Sequence, residues 1–381
     1  MAEIDDTLPN ETITDEAFVE QEVTVPNEEM EESSEGVEVT MDEEGGAQID
    51  FDPKAEGLES QDHFSNLAEI MEDQYLGELG STLFDQYTEY KESRADWENT
   101  YREGLELLGF KYERRTEPFR GASGVNHPVL AEAVTQFQAQ AYKELLPADG
   151  PVRAQILGDI SNEKQDQANR VKDFMNYQIM DQMPEYEPEF DQMLFYLPLS
   201  GSTFKKIYYD DLLGRAVSKF VPADDLIVPY SANSLEDAEA IVHVIRMSEN
   251  EIRKQQVSGF YKDVEVGNPP VTSNELKDTE LKLEGITKNS NQDQFNLLEM
   301  HVDLDLEGFE DMGQDGEPTG IKLPYIVTIL ESTNEILSIR RNYTEDDPLK
   351  EKIKYFVQFK FLPGTGFYGF GLIHMIGGLT R

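Results

Sequence analysis

The sequence predicts an α+β fold, with helices gathered in its first half and antiparallel strands in its second. Three observations carry that prediction. Between Thr82 and Leu108, the residues Phe84, Tyr87, Tyr90, Trp97, Tyr101, Leu105 and Leu108 recur at three, four or seven residues, the spacing of one helical face. From Leu298 to Glu307 apolar and polar residues alternate without a break, which is the period of a strand. Helical segments also come first and strands afterwards, rather than in the alternation that builds a doubly wound parallel sheet.

In chain order, 1–62 is rich in Glu, Asp, Thr, Val and Gly and has no helical or strand period, so it is expected to be a disordered acidic arm. Residues 63–200 read as a helical part. Helical pattern begins near Phe64 and runs strongly from Thr82 to Leu108, with Gly109 as its C-terminal stop. A second amphipathic helix is expected from Val129 to Leu146 on Leu130, Val134, Phe137, Ala141 and Leu145, ended by Pro147 and Gly150-Pro151. A short strand is expected over Val152–Leu157, then a helix over Asn162–Met183 with Ala168, Val171, Met175 and Ile179 inward, broken at Pro184. Glu189–Leu197 reads as a further helical piece, closed by Pro198 and Gly201.

Residues 201–361 read as β-rich. Strands are expected at 204–209, 216–221, 226–228 and 240–247, with Leu213-Gly214 turning the first pair. A polar, loop-rich insertion at 262–294 carries Pro269 and Pro270 and has room for one short helix. Within Leu298–Glu307 the face of Leu298, Met300, Val302, Leu304 and Leu306 is expected inside, and the face of Glu299, His301, Asp303, Asp305 and Glu307 in solvent. Tyr325–Leu330 and Ile336–Arg340 form a hairpin around Ser332-Thr333-Asn334, and Tyr355–Phe361 is one more strand. Residues 362–381 read as the start of a long helical segment, truncated at Arg381.

Composition bounds the function. The 381 residues give room for about two domains, and 38% hydrophobic with 10% aromatic residues is enough for a real core. The formal net charge is −45, of which 1–62 holds −21, from 22 acidic residues against the single lysine Lys54. Such a balance argues against a sequence-reading nucleic-acid binder, whose affinity comes from Lys and Arg on phosphates. It leaves room for a DNA conduit, because a channel that lets a duplex slide must not grip it. With no cysteine there are neither disulfides nor thiolate metal sites, which fits assembly in a reducing cytoplasm. No apolar run of about 18 residues exists, and the N-terminus is acidic, so no membrane span or signal peptide is expected.

Several motifs invite a chemical reading and fail it. Gly364-Thr365-Gly366-Phe367-Tyr368-Gly369 matches the G-x-G-x-x-G phosphate loop formally, but no β-α-β unit follows to place a ribose-binding acid about 20 residues on. A tight corner with Phe367 and Tyr368 packed is the better account. Asp303-x-Asp305-x-Glu307-Gly308 resembles the front of an EF-hand loop, yet its twelfth position is Gln314 and its residues alternate as a strand. His63, His127, His243, His301 and His374 lack ligand spacing. The adjacent pairs Asp210-Asp211 and Asp224-Asp225, read on strands, point to opposite faces and cannot converge. No catalytic, cofactor-binding or metal-ligating constellation is therefore expected. One basic patch, Lys111, Arg114, Arg115 and Arg120, interleaved with Tyr112 and Phe119 and diluted by Glu113 and Glu117, is a candidate subunit interface or DNA-facing surface; arginine's planar fork suits carboxylate pairing between subunits.

Three stretches together resemble the portal proteins of short-tailed bacteriophages, the large podovirus type. The first is Pro118-Phe119-Arg120-Gly121-Ala122-Ser123-Gly124-Val125-Asn126-His127-Pro128-Val129-Leu130, with the helix after it through Glu144-Leu145-Leu146-Pro147 to Gly150-Pro151-Val152. The second is the series of helix, Gly201, strand pair and Pro222-Ala223-Asp224-Asp225. The third is Phe361-Leu362-Pro363-Gly364 with Phe367-Tyr368-Gly369-Phe370-Gly371-Leu372, which in that family leads into a long helix. The likeness spans roughly Thr82 to Arg381, without the acidic arm. Pro128 sits where proline starts a helix, and Gly150-Pro151 is placed to turn the chain into an edge strand.

The resemblance implies a wing-like α/β part of a head-to-tail connector. About twelve identical subunits would ring one capsid vertex, passing double-stranded DNA without reading its sequence during packaging and ejection. The implied partners are the terminase large subunit, tail adaptor proteins, and capsid and scaffolding proteins; the implied location is the virion, after assembly in the host cytoplasm. No cofactor, enzymatic activity or membrane is implied. Another acidic virion assembly or head-tail adaptor protein is the second expectation, and a nucleotide-binding enzyme using the Gly364 loop the third.

Overall fold

The computed structural model describes residues 38–41 and 47–50 of an N-terminal unit, 1–62. Of the second unit, 63–381, it describes all but 109–118, 120–126, 159–160, 211–212, 268–274, 284, 286–293, 314–316 and 381. In the first unit, where composition pointed to no fixed structure, β1 (Glu38–Met41) and β2 (Ala47–Asp50) pair antiparallel with Glu38 opposite Asp50.

The second unit is α+β, as the periodicity predicts. Among its described residues it has eight α-helices and two antiparallel sheets. Helix α1 (Asp73–Ser93) is followed at once by α2 (Ala95–Glu106), so the aromatic stripe that reads as one helix is two, joined at Arg94. Helix α3 (Val129–Leu145) has the predicted bounds; Leu130 and Val134 are buried, whereas Leu145 is exposed.

The strand expected over Val152–Leu157 does not form: that stretch joins no ladder and Leu157 lies in solvent. The turn at Gly150-Pro151 is held by a helix instead. Gly150 has φ +88°, and the Asn176 side chain accepts from Val152 N at 2.9 Å while its amide donates to the carbonyls of Asp149 and Val152. Asn176 belongs to α4 (Asn162–Tyr177), which Ser161 caps and which runs on as a π-helical turn over Gln178–Gln182. The predicted inward face of α4 is not inward. The helix buries no residue, and Val171, Phe174 and Met175 are all more than 40% exposed.

Helix α5 (Tyr186–Ser200) is longer than its sequence pattern, because Pro188 falls in the first turn, where a missing N–H costs nothing, and Pro198 is carried inside the last. It ends on Gly201, left-handed at φ +88°.

Next comes the sheet of three, in order β10-β3-β4, from β3 (Ser202–Asp210), β4 (Arg215–Pro222) and β10 (Phe356–Lys360). The sheet of five runs β5-β6-β7-β8-β9, with β5 (Leu226–Ile227), β6 (Ala240–Ser248), β7 (Gln294–Leu304), β8 (Leu323–Leu330) and β9 (Ile336–Arg341). Helix α6 (Glu249–Val257), not foreseen, opens on a Ser248–Glu251 capping box; α7 (Glu275–Leu283) is the short helix of the insertion, and α8 (Leu372–Thr380) begins where a helix was expected.

Strand β7 explains the layering. Leu298 and Met300 face α1, packing with Leu76, Leu83, Tyr87, Tyr325 and Val327. Of the face expected in solvent, Asp303, Asp305 and Glu307 are exposed, but Glu299 and His301 meet the sheet of three, and earlier on the same face Phe295 and Leu297 lie under Ile252 of α6. A third core joins α2, α3, α5, α7 and α8 through Tyr101, Leu105, Leu130, Leu199, Leu276 and Ile373.

The edge of the larger sheet is closed by a side chain. Asn66 donates to Leu337 O at 3.1 Å and accepts from Ile339 N at 3.0 Å, taking the place of a neighbouring strand on β9.

Candidate functional site

Three glycines from the second and third stretches, Gly201, Gly369 and Gly371, draw together where β3 leaves α5. A Cβ on Gly201 would stand 2.5 Å from Gly371 N, one on Gly369 would stand 2.6 Å from Gly201 O, and one on Gly371 would stand 2.7 Å from Gly201 N. Backbone packs directly on backbone there, and only glycine permits the approach. The corner is tied by Ser202, whose hydroxyl accepts from Gly369 N at 2.7 Å, and by Phe361 N donating to Gly201 O at 3.0 Å. Phe367 is buried and stacks on Phe204 with centroids 5.7 Å apart. Pro363 lies in the loop between β10 and this corner. The G-x-G-x-x-G stretch is thus a packed corner ahead of α8, in line with the sequence reading.

Beside the corner lies a buried charge junction organised by Arg94. Its Nη1 faces the carbonyls of Ala223 (3.0 Å) and Leu226 (2.9 Å) and the Tyr368 hydroxyl (3.0 Å), its Nη2 donates to Asp224 O (2.6 Å), and its Nε donates to Glu98 (2.7 Å). One guanidinium thereby fastens the α1–α2 joint to the turn between β4 and β5 and to the glycine corner. Burial opposes its charge, yet Tyr368, Glu98 and Asp224 together raise its pKa, so it stays protonated. Trp97 stacks on Tyr368 at 4.5 Å and on Tyr101 at 5.5 Å, completing an aromatic column beside Arg94.

Asp224 and Asp225 occupy the turn itself, closed by Asp225 N donating to Pro222 O at 3.1 Å. The expectation that they point to opposite faces of a strand is therefore wrong: in a turn both side chains reach the same cluster. Asp225 pairs in bidentate fashion with Arg246 on β6, at 2.6 and 2.8 Å. Asp224 sits 3.6 Å from Lys277 on α7, and Lys277 also binds Glu280 at 2.8 Å. Both oxygens of Asp224, Oε1 of Glu280, the Tyr101 hydroxyl and Trp97 Nε1 are buried without a hydrogen-bond partner. Desolvation and the neighbouring Asp225 charge push the Asp224 carboxyl up to about 7. Burial works against the charge of Lys277, but Asp224, Glu280 and Asp225 raise its pKa.

A second cluster joins the two sheets. Lys206 on β3 reaches both oxygens of Glu299 at 2.6 Å, His301 Nε2 lies 2.9 Å from the same carboxylate, and His243 Nδ1 lies at 3.9 Å. Burial would raise the Glu299 pKa; Lys206 first, then the two histidines, hold it well below the ordinary range. Burial lowers that of His301, so its Nε2–H donates to Glu299 as a neutral ring at pH 7. Both histidines edge Phe356.

Other predicted site residues separate into two groups. Lys111, Arg114, Arg115, Arg120, Gly121 and Ser123 lie outside the described residues. Pro128 directly precedes α3, its carbonyl accepting from Glu132, while Gly150 and Pro151 sit apart at the α3–α4 turn. Asp303 is on β7 rather than in a calcium loop, and no cluster of three metal-ligating side chains exists among the described residues. Nor is any described helix long and apolar enough to cross a membrane.

The sequence reading missed Arg94, Lys206, Arg246, Lys277 and Glu280. One signal was available: Tyr87, Arg94, Tyr101 and Leu108 are spaced by seven, so a cation falls on the buried stripe. Neither models of known protein families nor any curated protein matches this chain.

Proposed function

We propose that this chain is a bacteriophage portal subunit, a non-catalytic connector that closes with about eleven copies of itself into a ring at one capsid vertex. Double-stranded DNA would pass through it without sequence readout. Terminase large subunit, tail adaptors, and capsid and scaffolding proteins are its partners in that role, in the host cytoplasm during assembly and then in the virion.

The observation that carries the reading is the meeting of Gly201 with Gly369 and Gly371 at one corner, although they lie about 170 residues apart in sequence. Gly201, Gly369 and Gly371, from the second and third of the stretches quoted for the resemblance, stand where backbone meets backbone and only glycine fits. Helix α4 adds support, since a helix with no buried residue and Val171, Phe174 and Met175 in solvent suits a chain that buries that face against a neighbour.

Light scattering after size exclusion, with negative-stain microscopy, tests it. Rings with a central hole are expected. A compact monomer at micromolar concentration, alone and with duplex DNA, overturns the reading.

A further inference from the structure

Among the described residues no strand pairs with the outer edge of β10, and its register says which groups that edge presents. Ile207 N donates to Tyr355 O at 2.8 Å and Phe361 N to Gly201 O at 3.0 Å, so the odd-numbered residues of β10 bond β3. The N–H and C=O groups of Phe356, Gln358 and Lys360 therefore point away from β3. Those three N–H groups have no partner among the described residues, and β10 ends the order β10-β3-β4. Two other edges are treated differently: β9 is met by Asn66, and on β4 the Phe220 N–H is taken by Glu189 of α5.

Along β10 runs a cleft of about 380 Å³ lined by 234–236, Ile241, His301, Asn342 and 352–358. Asn342 is 2% exposed, and its Oδ1 has no hydrogen-bond partner. The charge is unusual for so acidic a protein. The hydrogen bonds of the Lys352 and Lys360 ammoniums go to main-chain carbonyls, at 3.1 Å to Ala238 and at 3.3 and 3.4 Å to Asn233 and Gly366, and neither lies within ion-pair distance of a carboxylate among the described residues. Lys354 meets Glu236 at 3.1 Å with both side chains mostly in solvent, an easily exchanged pair.

We infer that β10 is a docking edge for an extended acidic peptide of a partner protein, which adds a strand against Phe356, Gln358 and Lys360 while its carboxylates meet Lys352, Lys354 and Lys360. Main-chain bonds supply affinity in this mode, and alternate side chains supply selection. Lysines on an edge also discourage pairing with neutral or basic strands, so the same residues that admit an acidic strand reject others.

The test uses the whole chain and a fluorescein-labelled, end-blocked peptide of about seven residues alternating Glu and Val, read by anisotropy and by hydrogen exchange of 354–360. A Kd of about 10–100 μM and slowed exchange at Phe356 and Gln358 are expected. Lys354→Glu, on a side chain 65% exposed, should weaken binding about tenfold without affecting folding, and Gln358→Pro should weaken it by removing an outward N–H while sparing the β3 ladder. A peptide N-methylated along one edge should lose binding to a similar extent. Equal binding of the N-methylated or the Lys-Val peptide, or an unchanged Kd for Lys354→Glu, overturns the proposal. So does a duplex oligonucleotide that binds more tightly than the peptide and displaces it.

Discussion

Removing Arg94 should cost the protein more than any other single cation in its interior. Its side chain is 6% exposed and fastens five acceptors, three of them main-chain carbonyls in the β4–β5 turn. Arg94→Ala strands the carbonyls of Ala223 and Asp224 in a dry site, where each stranded polar group costs about 1–3 kcal/mol before relaxation, while Leu226 O keeps the Tyr368 hydroxyl as its donor at 3.0 Å. Glu98 is 28% exposed and recovers water, so the loss comes mainly from the carbonyls. Taken with the cost of breaking buried charge contacts, about 4 kcal/mol is expected at pH 7. Arg94→Lys should cost about 2 kcal/mol, because a point ammonium cannot span from Glu98 to Leu226 as a planar fork does. The assay is urea unfolding followed by fluorescence, since Trp97 is the sole tryptophan and stacks within the junction. A loss under about 1 kcal/mol for Arg94→Ala, with the m-value unchanged, would refute the assignment of this guanidinium as the fastener.

Asp224 should make the protein less stable as pH rises: its folded pKa is raised from the ordinary 3.8 to about 7, so the native state holds a proton that the unfolded state releases. Between those values the penalty grows to roughly 4 kcal/mol, and Asp224→Asn should flatten the slope in urea melts at pH 4, 6 and 8. Glu299 runs the other way: its folded pKa is depressed, so its contribution is present above the unfolded carboxyl range and lost in more acid solution. Glu299→Gln should destabilise by about 3–5 kcal/mol at pH 7 and remove that acid-side loss, read by the same melts. Gly201→Ala should abolish the fold or cost more than about 3 kcal/mol in thermal unfolding, since it meets backbone at positive φ; Gly214→Ala, at φ +62° with open space around it, should cost about 1 kcal/mol. Phe174→Glu on α4 should leave the monomer's melting unchanged and dissociate the proposed ring, as light scattering would show.

Patterns of period two and 3.6 located nearly every element, because burial of one face is a local property of the chain. The strand pairs around Leu213-Gly214 and Asn334 follow directly, Asn334 taking the positive φ of 61° that its residue type tolerates. Period alone does not say what covers the second face. Glu299 and His301 alternate with core residues as a solvated face would, and only the arrival of Lys206 from a strand about ninety residues away makes their burial affordable. Asp224-Asp225 was misjudged for a related reason: adjacent residues diverge on a strand, but the Pro222 turn re-aims them. Val152–Leu157 has strand-like residues and no neighbour to pair with. The face of α4 shows the same limit from the other side, since an amphipathic pattern marks a surface that wants a partner without saying whether the partner belongs to the same chain.

Charge placement links these points to the proposed role. In the junction Arg94, Arg246 and Lys277 stand among Glu98, Asp224, Asp225 and Glu280, and Lys206 answers Glu299, so the interior clusters come close to neutrality, the more so when Asp224 holds its proton. Nearly all of the −24 carried by 63–381 therefore lies outside these clusters, since −21 of the −45 lies in 1–62. Surface charge of one sign does little for a fold and a good deal for how a molecule meets a polyanion. At physiological salt its reach is about 8 Å, so it repels a duplex only at close approach, which is the range that matters in a channel and is too short to keep DNA from entering one. A basic lining would instead bind phosphates and release counterions, giving a grip that tightens as salt falls. The fold thus places the buried cations Arg94, Arg246, Lys277 and Lys206 at joints between elements.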